Sequence, residues 1–203
     1  MKLPIIYSSK ELANRQPLDF YPTQPSLARV VCKLPELQQY VLSQDIILDP
    51  GAGTGVWGNA CKGIFPEASI VGVEINHDLE IVASYDAWYT ADYLDTDLEL
   101  SVDMVIGNPP YKFTEEFVNK SLTYLKEGGI IAFLLRLSFL ESKKRYLSMY
   151  NAGLNPEKVY CLVQRPNFRE YLGLKGSDSD AYGIYIWRKG YVGSTILDWL
   201  DWR

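Results

Sequence analysis

From residue 45 onward, short apolar runs of strand length alternate with stretches in which apolar residues return every three or four positions. Continuous or alternating apolar runs of about four to eight residues fit buried strands, and the longer period fits helices packed against them. Ile46-Ile47-Leu48 reads as the first strand and Val56 to Ile64 as its helix. Ser69-Ile70-Val71-Gly72-Val73 is the second strand, followed by a helix over Asp78 to Tyr85 and a short third strand at Trp88-Tyr89-Thr90. Met104-Val105-Ile106 is the fourth. A helix over Thr114 to Leu125 should end at Gly128-Gly129, where glycine takes the left-handed cap, and Ile130 to Leu135 forms a buried fifth strand. A helix near Leu140 to Tyr150, a strand near Val159 to Val163 and an alternating strand at Tyr182 to Trp187 complete the series. This order predicts an α/β protein built on a parallel sheet. Residues 164–181 carry Pro166, Gly173, Gly176 and Ser177-Asp178-Ser179-Asp180, and read as a long surface loop.

Composition narrows this picture to one domain, residues 1–203. With 203 residues, 47% apolar and 22% charged, the chain is long enough to bury a core and has the balance of an ordinary soluble protein. Residues 1–44 read as an N-terminal helical segment and 45–190 as the core. No stretch is long and apolar enough for a membrane span or a signal-peptide core, which predicts a cytoplasmic protein. Cys32, Cys61 and Cys161 are scattered and odd in number, so neither a disulfide framework nor a zinc site is expected. The single histidine, His77, leaves no His-based triad or His-rich metal site.

The net charge of −5 argues weakly against a nucleic-acid partner until its distribution is considered. Residues 1–135 hold 9 Lys/Arg against 18 Asp/Glu, a net of −9, whereas residues 136–175 hold 8 against 3, a net of +5. Lys143, Lys144 and Arg145 lie in this basic stretch. They fit either a solvated helix face or a nucleic-acid contact.

Two loops carry candidate chemistry. Asp49-Pro50-Gly51-Ala52-Gly53-Thr54-Gly55 follows the first strand and opens a helix, where an α/β sheet binds its ligand and glycine lets the backbone approach it. About twenty residues past Gly53, Glu74 ends the second strand, positioned to accept ribose hydroxyls. Asp92 follows the third strand and is placed to accept from an adenine amino group, with Ile75 or Tyr93 packing on the ring. Gly53, Gly55 and Gly58 also satisfy GxGxxG, so a dinucleotide dehydrogenase stays open on the glycines alone.

The second loop, Asn108-Pro109-Pro110-Tyr111, follows the fourth strand. Each proline fixes φ near −65° and removes a donor, leaving a loop that presents acceptors. The Asn108 amide oxygen and a neighbouring carbonyl can take both protons of a planar NH₂ group while Tyr111 stacks on the ring that bears it. Hydride transfer has no use for this set; alkylation of an amino group does.

Together these segments resemble the class I S-adenosylmethionine-dependent methyltransferases, and among them the γ-type, phage-like DNA adenine-N6 enzymes with an Asn-Pro-Pro-Tyr motif. The resemblance runs from Phe20 to about Lys189. It implies a Rossmann-like fold with a seven-stranded, mostly parallel sheet, an antiparallel C-terminal strand and helices on both faces. It implies S-adenosylmethionine as cofactor, with Tyr21 and Thr23 of the Phe20-to-Pro25 segment, Asp49, Gly51, Gly53, Glu74, Ile75, Asp92, Tyr93 and Asn108 around it, and residues 1–44 as a lid. Asn108, Pro109, Pro110 and Tyr111 are the implied catalytic set. Tyr111, Lys112, Lys143, Lys144, Arg145 and Phe168, the last as a second face for the base, are the expected substrate contacts. DNA is the expected partner, in a bacterial or phage-infected cell, and no metal is called for. The γ-type enzymes add a target-recognition domain that this sequence does not show after its last predicted strand, which leaves room for an oligomer or a specificity partner. RNA adenine-N6 or protein glutamine-N5 transfer, and an inactive cofactor-binding subunit, are the alternatives.

Overall fold

The computed structural model describes residues 21–40, 45–79, 85–168 and 179–203. In chain order the elements are α1 (Pro25–Cys32), α2 (Pro35–Tyr40), β1 (Ile46–Pro50), α3 (Val56–Ile64), β2 (Ser69–Glu74), β3 (Ala87–Thr90), β4 (Val102–Gly107), α4 (Thr114–Tyr124), β5 (Leu125–Arg136), α5 (Lys143–Ser148), β6 (Lys158–Leu162), β7 (Tyr182–Arg188) and β8 (Ile196–Leu200). Short 3₁₀ turns at Tyr111–Phe113, Leu137–Leu140 and Tyr150–Ala152 join some of them.

The strands form one eight-stranded sheet in the order β3-β2-β1-β4-β5-β7-β6-β8. β1 to β5 run parallel, and β7 inserts antiparallel between β5 and β6. The sheet therefore has eight strands where seven were expected. β8, parallel to β6, is the addition. Its Ile196, Leu197 and Trp199 are exposed, so the strand lacks the buried face by which alternation identifies its neighbours.

Alternating side chains divide the core into two layers. Ile47, Ile70, Met104, Ile130 and Ile186 face α1 to α3, where Cys32 and Cys61 bring α1 and α3 together with their sulfurs 3.8 Å apart. Leu48, Val71, Val105, Ile131, Phe133 and Tyr185 face α4 and the segment around Met149. Helix α4 stops at Tyr124, four residues before Gly128, and β5 starts at once, pairing Leu125 with Val102 before the register shifts. Gly128, at φ 76°, thus serves an irregularity within β5 instead of capping a helix. Residues 80–84 of the helix expected over Asp78 to Tyr85, and residues 169–178 of the loop at 164–181, lie outside the described residues. Among the described residues no helix is long and apolar enough to cross a membrane.

Candidate active site

Both candidate loops leave the same edge of the sheet from adjacent strands. β1 pairs with β2 on one side and β4 on the other, so the order reverses direction between β1 and β4. Open α/β sheets bind ligands at such a switch point. A methyl group on Gly51 would lie 3.7 Å from Pro110 Cδ, so the two loops touch. A methyl group on Gly107, the last residue of β4, would lie 3.1 Å from Asp49 Oδ1, and only glycine fits there without crowding the carboxyl.

The glycine loop is held by backbone hydrogen bonds from Gly51 and Ala52 to the Val73 carbonyl, at 2.8 and 3.0 Å. Gly51, Gly53 and Gly55 all have positive φ, a conformation that other residues resist. Glu74, buried at the end of β2, ties this loop to the next: Oε2 accepts from Gly53 N–H and Oε1 from Asn76 N–H, both at 2.8 Å. Each oxygen keeps a further acceptor position. Asp92 Oδ1 accepts from Leu94 N–H at 2.9 Å, shaping the turn after β3. Ile75, next to Glu74 in the chain, is 49% exposed and offers an apolar surface. The Tyr93 ring is buried instead, its hydroxyl 3.0 Å from Ser121 Oγ and its face against Phe117, so it packs in the core below α4.

Asp49 is fully buried. Tyr85 donates its hydroxyl to Oδ2 at 2.7 Å, whereas Oδ1 has no hydrogen-bond partner. Burial pushes the carboxyl up to about 7, against the Tyr85 bond, with the Glu74 charge adding to the rise. Tyr85 had no local signal in the sequence. Gly58 reveals it afterwards, since a methyl group there would lie 2.4 Å from the Tyr85 ring.

The acceptor loop is ordered from both sides. Phe113 N–H bonds the Pro110 carbonyl at 2.9 Å and the Thr114 hydroxyl bonds that of Tyr111 at 3.1 Å, so the turn that starts the helix does not draw on Pro109. Asn108 Nδ2 donates to the Tyr21 carbonyl at 2.8 Å, which fixes the amide; Oδ1 is buried and has no hydrogen-bond partner. Thr23, two residues on, is buried and accepts from Trp57 Nε1 at 3.2 Å, anchoring the 21–24 segment to α3.

A cavity of about 240 Å³ opens beside Tyr111, lined among others by Tyr21, Lys112, Arg136, Ser138 and Arg145. Tyr21 lies nearly parallel to Tyr111, at 10° and 6.4 Å between centroids. The ring opposite Tyr111 is therefore Tyr21. Phe168 is buried behind it, edge-on to Tyr21 and Tyr182 at 6.0 and 5.0 Å. Arg145 lines the cavity, but its guanidinium is spent on the carbonyls of Phe139, Ser138 and Glu141 at 2.6 to 2.9 Å, so it shapes the 137–141 turn. Lys143 and Lys144 are exposed on α5 and take no part in the lining. Arg136, the first charge after the apolar run of β5, was singled out only as part of the basic segment. Its guanidinium carbon lies 5.1 Å from the Tyr111 ring centroid.

A mostly parallel sheet with β7 inserted antiparallel, a glycine loop after β1 and an acid after β2 define the class I methyltransferase fold. The matches to solved structures agree. A Listeria monocytogenes protein described as a candidate class I S-adenosylmethionine-dependent methyltransferase superposes with a TM-score of 0.70, covering 94% of this chain and 69% of that one at 17% identity. The methyltransferase subunit of a type I restriction-modification system from Streptococcus thermophilus gives 0.59, covering 85% and 45%, also at 17%. Among curated proteins, the chain is 34% identical over 113 residues to the modification methylase CviBIII of Paramecium bursaria Chlorella virus NC1A, covering 44% of this chain and 30% of the relative. It is 30% identical over 120 residues to the type II methyltransferase M.CvrRI of Paramecium bursaria Chlorella virus XZ-6E, covering 48% and 31%. The matches thus span about a third of these relatives' length. No family model matches the chain.

Proposed function

We propose that the chain is an S-adenosylmethionine-dependent N-methyltransferase acting on the exocyclic N6 amine of adenine in DNA. The observation that carries this reading is Asn108. Its amide nitrogen is spent on the Tyr21 carbonyl, leaving a buried oxygen with no hydrogen-bond partner at the end of β4. A buried acceptor left unmet costs about 1–3 kcal/mol, a cost removed when a substrate N–H arrives. The curated relatives, a modification methylase and a type II methyltransferase, support nucleic acid over a protein glutamine.

The residues fit the cofactor. Glu74 retains one acceptor position on each oxygen, suited to two vicinal hydroxyls, and Asp49 Oδ1 is a buried acceptor without a donor beside the glycine loop. Asp92, Ile75, Gly51, Gly53 and Thr23 complete the set that would hold it. S-adenosylmethionine supplies an electrophilic methyl group on a sulfonium sulfur.

The chain's own residues act on the amine. Asn108 Oδ1 and the Pro109 carbonyl accept its two protons, favouring positive charge on nitrogen and turning its lone pair out of ring conjugation. Tyr111 stacks on the base, which must leave its duplex stack to reach the cavity. The alkylated nitrogen is strongly acidic, so its proton passes to water without a tuned general base, in keeping with a single histidine in the sequence.

Labelled S-adenosylmethionine incubated with duplex DNA, single-stranded DNA, RNA and a glutamine-bearing protein, followed by nucleoside analysis, tests the reading. N6-methyladenine in DNA is expected. Label only in RNA or in glutamine would replace the substrate, and cofactor binding without transfer to any of the four would point to an inactive subunit.

A further inference from the structure

Arg136 is the cavity residue to which amine chemistry gives no task. It ends β5 with its guanidinium over the Tyr111 ring, at the wall of the cavity a target base would enter. Asp180, two residues before β7, places Oδ2 2.9 Å from Arg136 Nε, with 41% and 43% of the two side chains exposed. The contact is close, yet Nε itself is buried and has no hydrogen-bond acceptor in line. The carboxylate therefore balances the charge without satisfying the donor. The Tyr182 hydroxyl is a further partner of the guanidinium.

We propose that Arg136 binds a phosphate of the nucleotide that enters the Tyr111 cavity, and that Asp180 holds this position in the free protein and is displaced from it. The inference rests on the nucleic-acid reading above. Three features carry it. A guanidinium presents its donors as a planar fork that matches two phosphate oxygens, whereas its present partners, the Asp180 carboxylate and the Tyr182 hydroxyl, leave Nε without an in-line acceptor. The other guanidinium in the wall, Arg145, is already committed to three carbonyls. Half-exposed ion pairs are worth little net stability, so Asp180 can yield to a better-matched anion at small cost. Lys112, exposed at the same cavity, adds positive charge near the anion.

Fluorescence anisotropy of a labelled adenine-containing DNA oligonucleotide, single-stranded and duplex, measured at several salt concentrations with S-adenosylhomocysteine present, reads this out. Arg136→Ala should weaken binding about tenfold and reduce the slope of log affinity against log salt by about one. Arg136→Lys keeps the charge and should restore most of the slope but not the affinity. Asp180→Asn should bind several-fold more tightly with the slope unchanged. A purely architectural ion pair would instead lower the melting temperature of Arg136→Ala and Asp180→Asn alike and leave the slope alone. The inference is overturned if Arg136→Lys and Arg136→Ala keep the wild-type affinity and slope, or if Asp180→Asn binds no more tightly than wild type. Failure of the broader reading looks different: the wild-type chain would then bind or methylate no nucleic acid at all.

Discussion

Replacing Asp49 with Asn isolates one buried charge. Burial raises this carboxyl from 3.8 to about 7 in the folded protein, so the folded state holds its proton more tightly than the unfolded chain does. The sign follows from linkage. The stabilisation is fully present below the unfolded value near 4 and is lost as pH rises through 7. Each pKa unit corresponds to about 1.4 kcal/mol, so ionising Asp49 between pH 5 and pH 8 removes on the order of 2–3 kcal/mol. Asp86 and Asp198, whose carboxyls are lowered by hydrogen bonds to backbone N–H groups and to lysines, titrate with the opposite sign in both proteins and cancel in the difference. Asn keeps an oxygen for the Tyr85 hydroxyl and carries no charge. Urea unfolding of wild type and Asp49→Asn at pH 5 and pH 8 measures the effect: the variant should gain about 2–3 kcal/mol on wild type as pH rises. A stability difference that stays flat across that range would refute the assignment of a proton to Asp49. If Asp49 also serves the cofactor, wild-type affinity for S-adenosylmethionine should rise between pH 6 and pH 8, and the variant's should not.

Tyr111→Ala should raise the KM for a DNA substrate about 10- to 100-fold, the worth of one base–aromatic stack, while Tyr111→Phe stays near wild type; steady-state kinetics decide. Gly58→Ala puts a methyl group 2.4 Å from the Tyr85 ring and should cost about 1–3 kcal/mol, read in urea unfolding, with a matching loss of cofactor affinity as the Tyr85–Asp49 bond is displaced. Arg145→Met removes three bonds to carbonyls, so amide exchange across residues 137–141 should accelerate and global stability should fall by at least about 1.5 kcal/mol.

Fold and site were legible in the sequence to different depths. The strands that bury a face announced themselves by alternation or by unbroken apolar runs, and Val56 to Ile64 was bounded as the structure has it. β8 escaped because an edge strand with exposed Ile196, Leu197 and Trp199 carries no buried pattern. Gly128-Gly129 resembled a helix cap because a positive φ serves a strand irregularity as well as it serves a cap. Asp49 and Asn108 stood out as candidates because glycine and proline mark the loops that hold them, and Glu74 because it ends the second strand about twenty residues past Gly53. Tyr93 was placed by its neighbour in sequence, but in the turn after Asp92 its ring packs into the core against Phe117, with its hydroxyl at Ser121. What the sequence could not reveal were partners distant along the chain. Tyr85 on Asp49, Tyr21 on Asn108 and Asp180 on Arg136 are each brought together by the sheet, 36, 87 and 44 residues apart.

The central claim is that Asn108 Oδ1 and the Pro109 carbonyl accept the protons of the amine that is methylated. Single-turnover methyl transfer from labelled S-adenosylmethionine to an adenine-containing duplex, measured for wild type and Asn108→Ala alongside cofactor affinity, tests it most directly. Transfer should fall by at least about a hundredfold, the order of one lost charge-stabilising group, with cofactor affinity changed only a few-fold. An Asn108→Ala protein that transfers methyl groups at the wild-type rate would contradict the account.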